Sequence, residues 1–273
     1  MSFPIIGLIA RNLYRLSVEE VAAKLGVRIK YSSDRLTVDQ IIEFSKGCDF
    51  IFVEPKFISI PTLKSAEKAG IVIFPPINSI EQLDKIKKHS PSSEKYSILI
   101  ARSAHAQIST WPISLLTENI SITPAPAVTE ELANSIQLSA IKLAGEVNLI
   151  GSLELIVDAN DFNNLVEINW LNPILNFAIS INSNTSYLEQ QLRAILDLPL
   201  GNTSMKELFV VCGKLKTDPN SDDYRPYLHL MARNPNLKFN QISKEVAICG
   251  DDVEMLLTEI IHAQQYYSGE IKE

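Results

Sequence analysis

The chain has 273 residues, 46% of them hydrophobic, and a formal net charge of −7 at pH 7. A chain of this length can bury a large core, most simply in two subdomains. Its negative charge argues against a nucleic-acid surface, which needs positive potential to displace counterions. Its apolar runs are too short to span a bilayer, and its three cysteines form no CxxC pair. Composition therefore predicts a cytoplasmic protein with free thiols that binds neither nucleic acid nor membranes.

The first third of the sequence alternates short apolar strands with amphipathic helices. Strand candidates such as "FPIIGLIA", "DFIFVE" and "IVIFPP" are separated by helix candidates such as "SVEEVAAKLG", where Ser17 and Glu20 fit a capping box. Alternation at this spacing is typical of a parallel, doubly wound sheet. The polar, proline-bearing stretch "SPSSEK" is the best domain boundary, which places an α/β domain at residues 1–90.

Beyond residue 90 the pattern changes to hairpins and longer helices, which is typical of an α+β unit. "YSILIARS" and "QISTWPISLL" fit one hairpin, and "GSLELIVD" and "NNLVEIN" fit another. "TEELANSIQLSAIKLAGEVN" fits a long helix that Thr129 caps, and "TSYLEQQLRAILDLP" fits a helix with a second threonine cap. "YRPYLHLMARN" is a short strand candidate, and "DVEMLLTEIIHAQQYYSG" is a closing helix.

Five stretches, in the right order and almost from end to end, resemble a known family. They are "GCDFIFVEPKFISIP", "YSILIARSAHAQISTWPI", "ISITPAPAVTEELANSIQLSAIKLA", "TSYLEQQLRAILDLPLG" and "HLMARNPNLKFNQI". The family is that of the PurK proteins, ATP-dependent carboxyaminoimidazole ribonucleotide synthases of purine biosynthesis in the ATP-grasp superfamily. The resemblance implies a Rossmann-like pre-ATP-grasp domain at 1–90, a truncated ATP-grasp domain at 91–201 and a C-terminal subdomain at 202–273.

The sequence also departs from the family. "IVIFPPINSIEQLDKIKKHSPSSEKYSILIARS" runs directly into the hairpin where the family inserts its lid and the lysines that hold the ATP phosphates. Phosphoryl transfer depends on such positioning and charge neutralisation. The family's glycine-rich first loop reads "GLIARNLYRL" here, with Ala10, Arg11 and Asn12 in place of glycines. The resemblance therefore implies magnesium and ATP as cofactors only if the family activity survives.

Three residues match the family's metal site. Glu154 and Glu167 match the two magnesium carboxylates, and Asn169 fits the wider superfamily pattern of Glu-x-Asn. In a hairpin the two carboxylates are expected to lie nearly opposite each other, which is unfavourable without a cation between them. Two interpretations stay open: a residual magnesium site with oxygen ligands, or two glutamates that bind no metal.

Three other residues are candidates for ribonucleotide binding. Arg233 and Lys238 fall where the family places basic residues for the ribonucleotide phosphate, although Leu237 replaces one of the basic pair. Glu54 ends the third strand, at the edge where ligands bind to open α/β sheets. For Arg233 and Lys238 the alternative is ordinary surface charge, and for Glu54 it is a polar residue leaving its strand.

The stretch "VEINWLNPILNF" loses four polar side chains of the family pattern, which fall here on Leu171, Pro173, Ile174 and Phe177. Leu171, Ile174, Leu175 and Phe177 predict an apolar patch, and such patches commonly bind a partner. The predicted function is a degenerate, non-catalytic or impaired synthase relative that acts as a homodimer, as a heteromer with a purine-pathway enzyme, or by residual ligand binding. The alternatives are a functional ligase that carboxylates aminoimidazole ribonucleotide with ATP, and a non-catalytic nucleotide sensor.

Overall fold

A computed structural model of the chain describes residues 2–90, 94–170, 173–215 and 223–271, and gives only the backbone for residues 13 and 173–176. The predicted mixed fold is confirmed: a small parallel sheet precedes a large antiparallel one. No helix in the described ranges has both the length and the apolar character to cross a membrane.

The N-terminal sheet has four parallel strands in the order β2-β1-β3-β4. The strands are β1 (Ile5–Ile9), β2 (Arg28–Ser32), β3 (Phe50–Val53) and β4 (Ile73–Phe74). The helices between and after them are α1 (Arg15–Lys24), α2 (Val38–Ser45), α3 (Ile60–Lys68) and α4 (Ile77–Asp84). All three crossings in this sheet pass through a helix, as parallel neighbours require.

Local chemistry explains two features of this unit. Gly7 lies in β1, where an added Cβ would come within 2.4 Å of Ile51 Cδ1 on the neighbouring strand β3. Glycine at position 7 therefore makes room for the Ile51 side chain. The predicted cap at Ser17 is wrong, because a 3₁₀ turn at Asn12–Tyr14 continues directly into α1 and starts it at Arg15.

The second sheet has nine strands with antiparallel pairing, in the order β10-β9-β5-β7-β8-β11-β13-β12, and β6 pairs with β5. These strands are β5 (Lys95–Arg102), β6 (Ile108–Thr110), β7 (Ser114–Leu116), β8 (Ile120–Thr123), β9 (Gly151–Asp158), β10 (Leu165–Asn169), β11 (Phe209–Lys214), β12 (Lys238–Asn240) and β13 (Glu245–Gly250). The helices are α5 (Glu130–Glu146), α6 (Pro173–Asn182), α7 (Tyr187–Ile195), α8 (Arg225–Arg233) and α9 (Val253–Ser268).

The two sheets share their cores. One apolar cluster joins Ile51 of β3 to Ile98 of β5, and a second joins Leu8 of β1 to Leu99 and Leu192. Because β8 pairs with β11, the predicted subdomains at 91–201 and 202–273 contribute to one sheet. Residues 85–94 connect α4 to β5, and 91–93 lie outside the described ranges.

Several helix predictions can be checked at their ends. Thr129 caps α5 as predicted, since its side chain accepts from the backbone N–H of Leu132 at 3.3 Å. The cap of α7 is Ser186 rather than the preceding threonine. "YRPYLHLMARN" forms helix α8 and not a strand, because Tyr227 and Leu230, three residues apart, both enter the core as a helical period requires.

Candidate functional site

A cavity of about 310 Å³ lies at the carboxyl ends of β1, β2 and β3. Open α/β sheets bind ligands at this edge, because the loops there diverge and leave a crevice. The end of β10 closes the opposite side of the cavity. The lining residues that carry charge are Arg11, Arg35, Glu54 and Lys56, and Phe57, Asn169 and Trp170 are among the others.

Arg11 and Glu54 form the fixed part of this cavity. The Glu54 carboxylate accepts hydrogen bonds from the Arg11 backbone N–H at 2.9 Å and from Arg11 Nε at 2.6 Å. It also pairs with Arg11 Nη2, and this hydrogen bonding raises the pKa of Arg11. The Glu54 side chain is 8% exposed but that of Arg11 is 59% exposed. Arg11 is therefore held in place while part of its guanidinium group still faces solvent.

Tyr14 supports the same arginine. Arg11 Nη2 donates to Tyr14 Oη at 3.1 Å, and its guanidinium carbon lies 5.4 Å from the centre of the Tyr14 ring. Burial, and then the negative charge of Glu54, raise the pKa of Tyr14 to about 12. Tyr14 therefore stays neutral at physiological pH and adds no negative charge beside the cavity.

Lys56 and Arg35 supply the other two cations of the cavity, and both are exposed. Lys56 lies in a tight turn that the Phe57 N–H closes by donating to the Glu54 carbonyl at 3.1 Å. The Arg35 guanidinium carbon lies 5.7 Å from the centre of the Phe57 ring. Sequence reasoning identified Glu54 but missed Arg35 and Lys56; the signal it overlooked is that each follows a parallel strand, as Glu54 does.

The predicted metal residues do not face each other as expected. Glu154 pairs across the hairpin with Asn169 and Glu167 pairs with Ile156, and the register shifts by one residue between Leu165 and Glu167. The expectation that the two glutamates lie nearly opposite each other is therefore wrong. Asn169 Nδ2 donates to Glu154 Oε2 at 2.9 Å.

Burial separates the two glutamates further. Glu154 is fully buried, and its Oε1 accepts from Ser97 Oγ at 2.6 Å, while Glu167 is exposed. A magnesium ion that uses one or two carboxylates keeps several waters, and a fully buried carboxylate leaves no room for them. In the described ranges no group of three or more His, Cys, Asp or Glu residues could hold a metal. Glu154 is thus held by Ser97 and Asn169, and magnesium binding by Glu154, Glu167 and Asn169 stays a prediction.

The other predicted residues lie apart from the cavity. Arg233 ends α8 and Lys238 begins β12; both are exposed, and Leu237 between them is buried in the core beneath. Neither basic residue lines the cavity that contains Glu54.

The predicted apolar patch falls largely on residues whose placement is not described. Leu171 and the side chains of Pro173, Ile174 and Leu175 lie outside the described part of the chain. Phe177 is half-buried and packs against a cluster that includes Ala178 and Cys212.

Curated proteins that match the chain in sequence are N5-carboxyaminoimidazole ribonucleotide synthases. That of Mycobacterium tuberculosis is 31% identical over 159 residues, which cover 54% of this chain and 37% of the relative. That of Corynebacterium ammoniagenes is 32% identical over 126 residues, which cover 41% of this chain and 30% of the relative. The matches thus span less than half the length of these relatives. No protein-family profile matches the chain.

Solved structures with the same fold cover nearly the whole chain. The Aspergillus clavatus synthase in complex with ADP and 5-aminoimidazole ribonucleotide has a TM-score of 0.83 at 12% identity, covering 99% of this chain and 100% of that one. The Thermotoga maritima synthetase has a TM-score of 0.79 at 16% identity, covering 97% and 98%. The phosphoribosylaminoimidazole carboxylase ATPase subunit of Aquifex aeolicus has a TM-score of 0.75 at 15% identity, covering 96% and 99%. At these identities the comparison shows that the chain shares the fold of these proteins.

Proposed function

We propose that this chain, a relative of the carboxyaminoimidazole ribonucleotide synthases in sequence and in fold, acts at the step of purine biosynthesis that those proteins catalyse. In this proposal it binds aminoimidazole ribonucleotide in the cavity at the carboxyl ends of β1, β2 and β3. The observation that carries the proposal is the charge of that cavity: three cations and one carboxylate line it, in a chain whose net charge is −7. An anionic ligand is the natural occupant of such a site, because the cations focus positive potential in a concave surface.

The comparisons support an ATP-dependent ligase reaction. The curated relatives are synthases, and the similar Aspergillus clavatus structure contains both ADP and the ribonucleotide. In this version of the proposal the protein joins the carbon of bicarbonate to the ribonucleotide amine, and ATP is split to ADP and phosphate, which carries away the oxygen that bicarbonate loses. The part assigned to the described residues is the binding and orientation of the ribonucleotide, which turns a bimolecular step into a step within one complex.

A second candidate is a non-catalytic relative that binds the ribonucleotide or a protein partner. The observation that favours it is the separation of Glu154 from Glu167, since the superfamily places both carboxylates on magnesium. In this version the chain acts as a homodimer or beside a purine-pathway enzyme. A lid that the sequence predicts to be missing would then be unnecessary, or would come from the partner.

The two candidates differ in ADP release. Purified protein is mixed with Mg-ATP, bicarbonate and 5-aminoimidazole ribonucleotide, and ADP release and thermal unfolding are followed together. The ligase predicts ADP release that requires the ribonucleotide. The non-catalytic relative predicts stabilisation by the ribonucleotide, about 2.7 kcal/mol at a hundred times its Kd, without ADP.

Arg11→Ala provides the matched variant for this assay. It removes a cation that lines the cavity, so it should abolish the stabilisation by the ribonucleotide. Arg15→Ala removes the same charge four residues further on, where the guanidinium pairs with Glu19 on α1, and should leave the stabilisation intact. Wild-type protein that shows neither ADP release nor stabilisation contradicts the proposed function.

A further inference from the structure

We propose that Arg35 and Lys56 form a phosphoryl-binding subsite beside Arg11, so that the N-terminal parallel sheet holds the phosphate of the bound ligand. The subsite is a property of these residues, but the identity of the ligand as a ribonucleotide rests on the function proposed above. The family resemblance implies that Arg233 and Lys238 bind the phosphate, whereas this proposal places the phosphate at Arg35 and Lys56.

Three neighbouring strands bring the cations together. Because β1 lies between β2 and β3, the loops that follow these strands meet at one edge. Arg11 follows β1, Arg35 follows β2 and Lys56 follows β3, and all three line the same cavity. Residues separated along the chain thus converge through the topology of a parallel sheet.

Lys56 occupies a position where its backbone is unfavourable. The turn Glu54–Phe57 has proline second and a residue with positive φ third, which is a type II turn. Lys56 adopts φ 69° there, although glycine or asparagine is usually found at this position. Such backbone strain is concentrated at ligand sites, since folding alone would favour a residue without the penalty. Lysine at this position places an ammonium group at the cavity, where glycine would have no side chain.

Phe57 holds the Arg35 guanidinium group in place without neutralising its charge. Its guanidinium carbon lies 5.7 Å from the centre of the Phe57 ring, and among the described residues no carboxylate comes within ion-pair distance of it. Phe57 is the residue that closes the Lys56 turn, so one short segment places both cations. A stacked guanidinium keeps its planar set of N–H donors, which matches the oxygens of a phosphate.

The charge of the cavity matches that of a phosphate monoester. Glu54 already neutralises Arg11 through its hydrogen bonds, and no carboxylate of the described residues forms an ion pair with Arg35 or Lys56, which leaves two positive charges for a ligand. A phosphate monoester carries about −1.5 to −2 charges at neutral pH. A volume of about 310 Å³ accommodates a small phosphorylated sugar rather than a nucleic-acid strand.

The test is isothermal titration of the full chain with ribose 5-phosphate at low ionic strength, with ribose as the ligand that lacks the phosphate. Arg35→Ala should lower the affinity for ribose 5-phosphate at least tenfold, because it removes charge-assisted hydrogen bonds to the phosphate. Lys56→Asn should have a similar effect, since asparagine tolerates positive φ and removes only the charge. Both residues are exposed, so both variants should fold.

The matched control is Arg28→Ala. Arg28 is an exposed arginine at the first residue of β2, at the end of the strand opposite Arg35. Its removal changes the net charge equally and should change the affinity less than twofold. Equal losses in Arg35→Ala and Arg28→Ala would overturn the subsite, because they would indicate only a long-range field. Unchanged affinity in Arg35→Ala, or a loss confined to Arg233→Ala, would overturn it as well.

The outcomes separate the subsite from the proposed function. Binding of 5-aminoimidazole ribonucleotide that is unchanged by Arg35→Ala refutes the subsite and leaves the proposed function standing. Binding that depends on Arg35, but is no tighter for 5-aminoimidazole ribonucleotide than for ribose 5-phosphate, supports the subsite and counts against the proposed function.

Discussion

Glu245 is a buried carboxylate on β13, the strand next to the edge strand β12 of the second sheet, and its replacement by glutamine should stabilise the protein above neutral pH. It begins β13 with 1% of its surface exposed, between Lys214 of β11 and Asn240 of β12. Ser243 Oγ donates to its Oε2 at 2.5 Å. Its Oε1 is buried and has no hydrogen-bond partner within the described ranges.

The size of the effect follows from the cost of burying this charge. Burial raises the pKa of Glu245 from its ordinary 4.5 to about 7, against smaller opposing effects of the Ser243 hydrogen bond and the Lys214 charge. Since one pKa unit corresponds to about 1.4 kcal/mol, ionised Glu245 lowers the free energy of unfolding by ~3 kcal/mol. The unfolded chain ionises first as pH rises, so this stability is present below pH 4.5 and is lost between pH 4.5 and about 7.

The assay is urea unfolding of wild type and Glu245→Gln at intervals from pH 4.5 to pH 8. The advantage of the variant should grow by ~3 kcal/mol across that range and then level off. Glu67→Gln, at an exposed glutamate of α3, is the matched control and should show no such growth. An advantage that stays constant from pH 4.5 to pH 8 would refute the assignment of a buried, poorly solvated carboxyl to Glu245.

Three further predictions concern stability and are checked by the same unfolding measurement. Gly7→Ala should lower the free energy of unfolding by about 1–3 kcal/mol, because its methyl group meets Ile51. Gly145→Ala in α5, where the added methyl group has open space, should raise it by about 0.5–1 kcal/mol. Equal effects of the two variants would contradict the packing of β1 on β3. Thr129→Ala should cost about 1 kcal/mol by removing the cap of α5, and Thr129→Ser should restore it. Lys56→Gly should unfold at higher urea than Lys56→Ala, since only glycine relieves the positive φ; the reverse order would contradict the turn.

The alternation of strands and helices could be read from the sequence because it is a local pattern. The capping residue Thr129 and the glycine within β1 were also predictable, since each depends on its own neighbours along the chain. Glu54 could be placed at a ligand-binding edge for the same reason: it directly follows an apolar strand. Helix α8 was read as a strand because its segment is short, and only packing on the core of the second sheet decides its period.

The site itself depends on contacts that a single sequence does not display. Arg35 and Lys56 are 21 residues apart by their numbers, and they meet only because β1 lies between β2 and β3. From the pairing of Leu165 with Val157, Glu167 would lie opposite Leu155; a register shift of one residue places it opposite Ile156 instead, and one shifted residue changes every later pairing of a strand. Motif spacing identified Glu154 and Glu167 but not the residues with which they pair.

A crystal structure of the protein with 5-aminoimidazole ribonucleotide would show directly whether the edge of the parallel sheet binds the phosphorylated ligand. We expect the phosphate within about 3 Å of the Arg35 and Lys56 nitrogens, with the Arg11–Glu54 pair intact beside it. A ribonucleotide whose phosphate contacts Arg233 and Lys238, with the strand-end cavity left to solvent, would contradict it.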